Sequence, residues 1–372
     1  MRKKSILLIV FFISIIFGFQ TILPQTSKSG TDNIYKNTRP TNIPVLLKNS
    51  IYVQAKAHNE YWKMPNQNNY SSWIPMIKFS QFYNNDKTLN YKVEFFNPDA
   101  SLWFSENLEQ GFRAADRTIS FKSPNPYENL KSKSTNGTGV YSFKITNQDT
   151  KEVIYQGKFK VGKFSTGQRP DEKNKFDFFV EHDWLLPFGM VGFSHEDLEI
   201  GGIPLEVSVW LKGMVKADEL EGRIFYKGQQ INLAQDNIYK NRAIDYDERT
   251  TEFAAPFAPN NTWKRWLFQW HNFRFDNNGT FNRENYPNAF YADKNPGEYT
   301  VKIYRNSAQI RELSFSIGAD GKIVVPSYSN QLPLPYYRVI LPVKIIGSEK
   351  WDSMNWKPDA FYGNPLTGFN LP

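Results

Sequence analysis

The chain has 372 residues, 45 of them basic and 37 acidic, with a formal charge of +8, four histidines and no cysteine. The lack of sulfur in thiol form excludes disulfide staples, thiol nucleophiles, thiolate metal sites and dithiol redox chemistry. Stability must come from burial, and a composition that is 40% hydrophobic and 16% aromatic is rich enough for two cores of ordinary size.

Arg2, Lys3 and Lys4 precede an apolar run from Ile6 to Phe19 that only Ser14 and Gly18 interrupt. A positive start followed by about 14 apolar residues, short of the ~20 that cross a bilayer, is the pattern of a secretory signal peptide. Residues 1–25 are therefore expected to be removed, with the cut between Phe19 and Ser29, leaving a secreted or periplasmic protein without a membrane span. Removing those three positive charges from the formal +8 leaves about +5. The remaining lysines and arginines are interspersed with acids, so no nucleic-acid partner is expected.

Residues 26–50 are polar, hold Pro40 and Pro44, and read as a leader strand or tether. Residues 51–163 then show period-two alternation, which puts alternate side chains on opposite faces of a strand. In Val140 to Thr146, Tyr141, Phe143 and Ile145 share one face while Ser142, Lys144 and Thr146 share the other. The turn-formers Asn147 to Thr150 lead back through Val153 and Tyr155 to Phe159 and Val161, which makes a hairpin. Residues 164–175, with Gly167 and Pro170, read as a linker.

The pattern recurs in residues 176–325. Gly297 opens a strand with Tyr299, Val301 and Ile303 on one face, Asn306-Ser307 turns it, and Leu313, Phe315 and Ile317 return. Both hairpins open on a glycine (Gly139, Gly297) with tyrosine two residues later, and both end before a glycine (Gly162, Gly318). Upstream, Trp73-Ile74-Pro75 followed by Tyr91 to Phe95 matches Leu185-Leu186-Pro187 followed by Leu205 to Val209. Internal duplication is the expectation, with an insertion in the second copy at 232–293. Residues 326–372 are proline-rich, with a strand candidate from Tyr337 to Ile346. They are aromatic enough to pack on the second domain.

The expected fold is all-β: two tandem antiparallel β-sandwich domains, a short helix in the insertion, and a C-terminal extension. The strand rhythm resembles that of immunoglobulin-like or fibronectin-like modules, without the Cys…Trp…Cys spacing.

Candidate chemistry is sparse. The histidines are His58, His182, His195 and His271, and there is no G-x-S-x-G nucleophile elbow, phosphate-cradling loop or dinucleotide fingerprint. A metal site could be assembled from His182, Asp183, His195, Glu196 and Asp197, but their spacing matches no zinc pattern, so a solvated turn is the better reading and neither metal nor cofactor is expected. Asp245, Asp247 and Glu248 read first as a solvated charged loop and are also the acids that a carbohydrate-active site would use. Trp263, Trp266, Leu267 and Trp270 fall at i, i+3, i+4 and i+7, which predicts an amphipathic helix with its rings in the core. Trp210 and Tyr304 are expected to face outward from strands, with contact between the domains an equally good reading for Trp210. No catalytic residue is assigned. The resulting expectation is a non-enzymatic binding or adaptor protein for an envelope or extracellular protein. The alternative is a carbohydrate-binding or carbohydrate-active protein using Trp210, Tyr304, Asp245, Asp247 and Glu248.

Overall fold

The computed structural model describes residues 44–57, 72–83, 85, 87–113, 118–165, 176–193, 205–231, 233–235, 245–249, 261–274, 290–331, 338–347 and 349. The described chain is mostly strand, arranged in four antiparallel sheets. Among the described residues, no helix is long and apolar enough to cross a membrane.

The first unit runs through β1 (Val45–Leu46), β2 (Tyr52–Ala57), β3 (Trp73–Phe82), β4 (Tyr91–Phe96), β5 (Leu102–Asn107), β6 (Glu109–Arg113), β7 (Thr118–Lys122), helix α1 (Tyr127–Lys133), β8 (Gly139–Asn147), β9 (Val153–Ser165) and β10 (Phe176–Val180). Its first sheet has the order β1-β3-β7-β6 with β2 also on β3, and its second β10-β9-β8-β4-β5. β1 and β2 follow the same edge of β3, separated by a 3-10 turn at Lys48–Ser50. The Ser50 hydroxyl keeps contact across that break by accepting the Ser80 N–H at 2.8 Å. Residues 45–46, within the segment read as a leader strand or tether, thus carry a sheet strand. β10, which the sequence reading put in the second domain, pairs along β9.

Alternation explains why these segments are strands. Tyr141, Phe143 and Ile145 are buried, while Ser142, Lys144 and Thr146 on the opposite face are not. The buried rings of the two sheets meet. Trp73 of β3 lies edge-on to Tyr141 of β8 at 5.0 Å, and Tyr91 of β4 lies edge-on to Phe121 of β7 at 4.8 Å. Such pairs add about 0.5–1.5 kcal/mol beyond their burial.

The second unit comprises β11 (Phe188–Phe193), β12 (Leu205–Lys212), β13 (Leu220–Tyr226), β14 (Gln229–Ile231), β15 (Leu233–Gln235), β16 (Asp245–Arg249), β17 (Trp263–Arg274), β18 (Gly297–Arg305), β19 (Ala308–Ile317), β20 (Val339–Pro342) and β21 (Lys344–Ile345). The third sheet has the order β15-β17-β12-β11-β20 with β16 also on β17, and the fourth β14-β13-β18-β19-β21. Gly222 of β13 lets the sheets approach: a Cβ there would stand 2.8 Å from both Phe268 and Trp270 of β17. The glycines that open the two hairpins have a structural reason to match. Gly139 and Gly297 sit at φ of 134° and 142°, a region that side-chain-bearing residues avoid.

Two expectations are overturned here. Residues 263–274 form β17, not a helix, and β17 pairs with β12 over eight consecutive residues from Trp263 to Trp270. The tryptophans are buried, as a core role requires, but they split between faces. Trp266, Phe268 and Trp270 enter the second unit's core, whereas Trp263 joins the buried cluster of the first. Trp263 and Leu267 fall on the face opposite Trp266, Phe268 and Trp270, among Arg265 and Gln269, so the strand has no clean alternation and a chance match to helical spacing prevails in the sequence. The only α-helix among the described residues is α1, in the first unit. The second correction concerns Trp210. It is 5% exposed and packs in the first unit's cluster, although Leu205, Val207, Val209 and Leu211 of the same strand face the second unit's core. The outward reading of Trp210 gives way to its alternative, contact between the units.

Candidate functional site

Two polar constellations stand out: one buried between the units, one exposed on the fourth sheet.

The junction is built on the short connector from β10 to β11. Asp183, 1% exposed, opens a 3-10 turn. Its carboxylate receives Lys212 Nζ of β12 at 2.8 Å and the Trp263 indole N–H at 2.9 Å. His182, also buried, lies edge-on to Trp263 at 5.5 Å and 5.6 Å from the Tyr52 ring. Glu181 pairs with Lys160 of β9 at 3.1 Å. Burial, followed by the charge of nearby Asp183, holds the Glu181 carboxyl above the ordinary glutamate range, partly offset by Lys160 and Lys212. Lys212 and Trp263 of the second unit thus converge on one carboxylate of the connector, while Tyr52 of the first unit packs against the neighbouring His182. Its lone pairs are engaged by an ammonium and an indole, an arrangement that fixes the connector to β12 and β17 and leaves Asp183 committed to structure. Among the described residues, no group of three or more His, Asp or Glu could hold a metal ion. His195, Glu196 and Asp197 lie outside the described residues.

The exposed constellation is the outer face of the fourth sheet. The register sets Glu221 of β13 beside Tyr304 of β18, Arg223 beside Lys302, and Phe225 beside Thr300. On the far side of β18, Gln309, Glu312 and Ser314 of β19 continue these rows, and Lys344 of β21 extends the middle one. Arg223 grips Glu221 through two bonds of 2.6 and 3.0 Å, and its guanidinium lies 4.2 Å from the centre of the Tyr304 ring. Glu221 first, and Tyr304 after it, hold the guanidinium charged beyond its usual range. Lys302 Nζ sits 4.9 Å from the Phe225 ring and 3.8 Å from Glu312. Thr300 and Ser314 share a hydroxyl–hydroxyl bond of 3.1 Å. These ion pairs are about a third exposed, so each stabilises the fold by no more than about 1 kcal/mol. Together they set out a mixed-charge surface across β13, β18 and β19, with a register irregularity between Ile303 and Tyr304.

No family model matches this chain, and no curated protein does either.

The residues singled out from sequence are distributed unevenly over this geometry. Tyr304 lies at the centre of the exposed face. Trp210 belongs to the junction and donates no surface. Asp245, Asp247 and Glu248 stand on β16, opposite Leu267, Arg265 and Lys264 of β17. Because Arg265 is also opposite Trp210, one backbone row of the third sheet runs Trp210, Arg265, Asp247. Tyr304 is on a different sheet, so the five residues do not form one site. Sequence reading missed Arg223, Glu221 and Phe225. Their alternation with Leu220, Gly222 and Ile224 was available as a signal, but Gly222 interrupts the apolar face and hides it.

Proposed function

We propose that this chain is an exported, non-enzymatic binding or adaptor protein of the cell envelope or exterior, and that its partner is a protein of that compartment. In this reading its body is two tandem antiparallel β-sandwiches of immunoglobulin-like kind, related by duplication. Strand order supports the duplication. The sequence β5-β4-β8-β9-β10 is answered by β14-β13-β18-β19-β21, and β2-β3-β7-β6 by β11-β12-β17-β16. In this alignment β12 answers to β3 and β13 to β4. That is one strand removed from the match of Leu205–Val209 with Tyr91–Phe95 suggested by spacing. β17 then answers to β7 and is part of the scaffold, with the extra length on either side of it.

The observation that carries the functional reading is the Tyr304 ring with Arg223 on its face and Glu221 fixing Arg223. A ring already roofed by a guanidinium presents charge and polar edges in a fixed geometry. Arginine and tyrosine in such a setting suit the recognition of a protein surface. A glycan is the second reading, favoured by the Thr300 and Ser314 hydroxyls, which lie in the same row as Phe225. An array of envelope proteins and glycans probed with residues 26–372 separates the two. Specific capture of a protein that weakens at least about tenfold in Arg223→Ala and Tyr304→Ala supports the first. Glycan capture that survives Arg223→Ala and is lost in Phe225→Ala replaces it with the second. Mass determination of the exported chain tests the compartment: a mature N-terminus between residues 19 and 29 is expected.

A further inference from the structure

After β19 the chain returns through residues 338–349 and stitches both sheets of the second unit. β20 adds to the edge of β11 in the third sheet, and β21 adds to the edge of β19 in the fourth. Between them Val343, fully buried, donates its N–H to the Pro187 carbonyl at 2.8 Å, and Ile346 donates to Ile310 at 2.9 Å. Val339, Leu341 and Val343 all enter the second unit's core.

Beyond β21 this segment supplies a charge to the interior. Arg311 of β19 points to the core side in line with Leu313, Phe315 and Ile317, and its side chain is 0% exposed. Its NH1 donates to the Ile310 carbonyl and its NH2 to the Trp210 carbonyl at 3.3 Å, while its Nε has no acceptor among the described residues. The carboxylate it meets is Glu349, which binds NH2 and also accepts the backbone N–H of Lys212 at 3.1 Å. Glu349 therefore ties β19 of one sheet to β12 of the other. Without it, a guanidinium would be buried with no counter-charge, which folded proteins tolerate poorly.

Every one of these contacts is made by the segment itself, and none uses its covalent link to β19. We propose that the paired edges of β11 and β19 form a strand-acceptor groove. It recognises an extended segment with apolar residues at Val339, Leu341 and Val343 followed by a carboxylate at Glu349. Arg311 selects the carboxylate. The occupant is this chain's own segment, and the same groove accepts that segment from a second copy of the chain when the first is displaced, joining the two by strand exchange. The recognition mode is strand addition: the backbone ladder supplies affinity, and alternate side chains with one buried ion pair supply specificity.

The test uses the full folded chain with a protease site placed between Gln331 and Arg338, cut after folding. The probe is a labelled synthetic peptide of residues 338–349. Exchange of the cut segment for the peptide is expected under native conditions, with binding about a hundredfold weaker for the Glu349→Gln peptide, as an unpaired buried ion requires. The acceptor is unaltered in that comparison, so misfolding does not confuse it. Uncut chains held at high concentration should yield dimers that Glu349→Gln reduces. Equal binding of the two peptides overturns the role of Arg311. Exchange no faster than global unfolding overturns the groove.

Discussion

At the scale of single residues, the junction rests on groups whose removal has computable consequences. Asp183 is a buried carboxylate with Lys212 as its cation. Asp183→Asn leaves that ammonium without its counter-charge and is expected to cost about 3–5 kcal/mol in a denaturant titration. Glu181 behaves differently because its pKa is raised. A carboxyl whose folded pKa lies above its unfolded one stabilises the fold most when protonated, and that contribution declines as pH rises from the ordinary value of 4.5 through the folded value. Glu181→Gln should remove this decline. The difference in unfolding free energy between variant and parent should therefore grow in the variant's favour as pH rises through that window. A pH-independent difference would show that Asp183 and burial do not act on Glu181 as the geometry implies. Trp266, 3% exposed in the second core, is expected to cost about 3–5 kcal/mol on truncation to alanine. Its melting temperature should fall without selective loss of ligand.

At the scale of elements, the two opening glycines provide a matched pair of tests. Gly139 and Gly297 share nearly the same positive φ at equivalent places in the two hairpins. Alanine at either is expected to destabilise by about 1–3 kcal/mol through backbone strain. The Gly139 site has its nearest neighbour at 3.7 Å and the Gly297 site at 3.0 Å, so the second substitution should be the costlier. Thermal melts of both variants check the order. The two-residue turns Lys227-Gly228 and Asn306-Ser307 follow the same logic. All four residues have positive φ, the setting whose twist suits tight hairpins.

At the scale of the whole molecule, the coupling between units lies in the outer face of the third sheet. Trp210 and Trp263 belong to the first unit's buried cluster although their strands build the second unit. Calorimetry of the intact protein should accordingly give one cooperative transition. Trp263→Ala, which deletes the indole that binds Asp183 and the ring against His182, should separate it into two. A single transition that merely shifts downward would place the coupling elsewhere.

Alternation and composition are enough to establish that the chain is β-rich and that thiol chemistry is closed to it. They also locate the two glycine–tyrosine hairpins. Those hairpins have one wet face and one dry face, so their alternation is written in the order of residues. Only the assembled structure shows what covers the second faces of β12 and β17, where Trp210 and Trp263 pack in the first unit's cluster and Glu206 is closed off by Arg338. Trp210 looked exposed because the period of two in β12 sets it with Glu206, Ser208 and Lys212, and Trp263 to Trp270 imitated a helix because Trp263 and Leu267 fall on the face opposite Trp266, Phe268 and Trp270. The exposed face around Tyr304 was half legible. Its tyrosine follows from alternation along β18, but Arg223 and Glu221 come from a strand just over 80 residues earlier, and only pairing of β13 with β18 brings them together. The partnership of Arg311 with Glu349 was invisible for the same reason: whether an arginine on an apolar face meets a carboxylate depends on where a distant segment returns, and no local period encodes that.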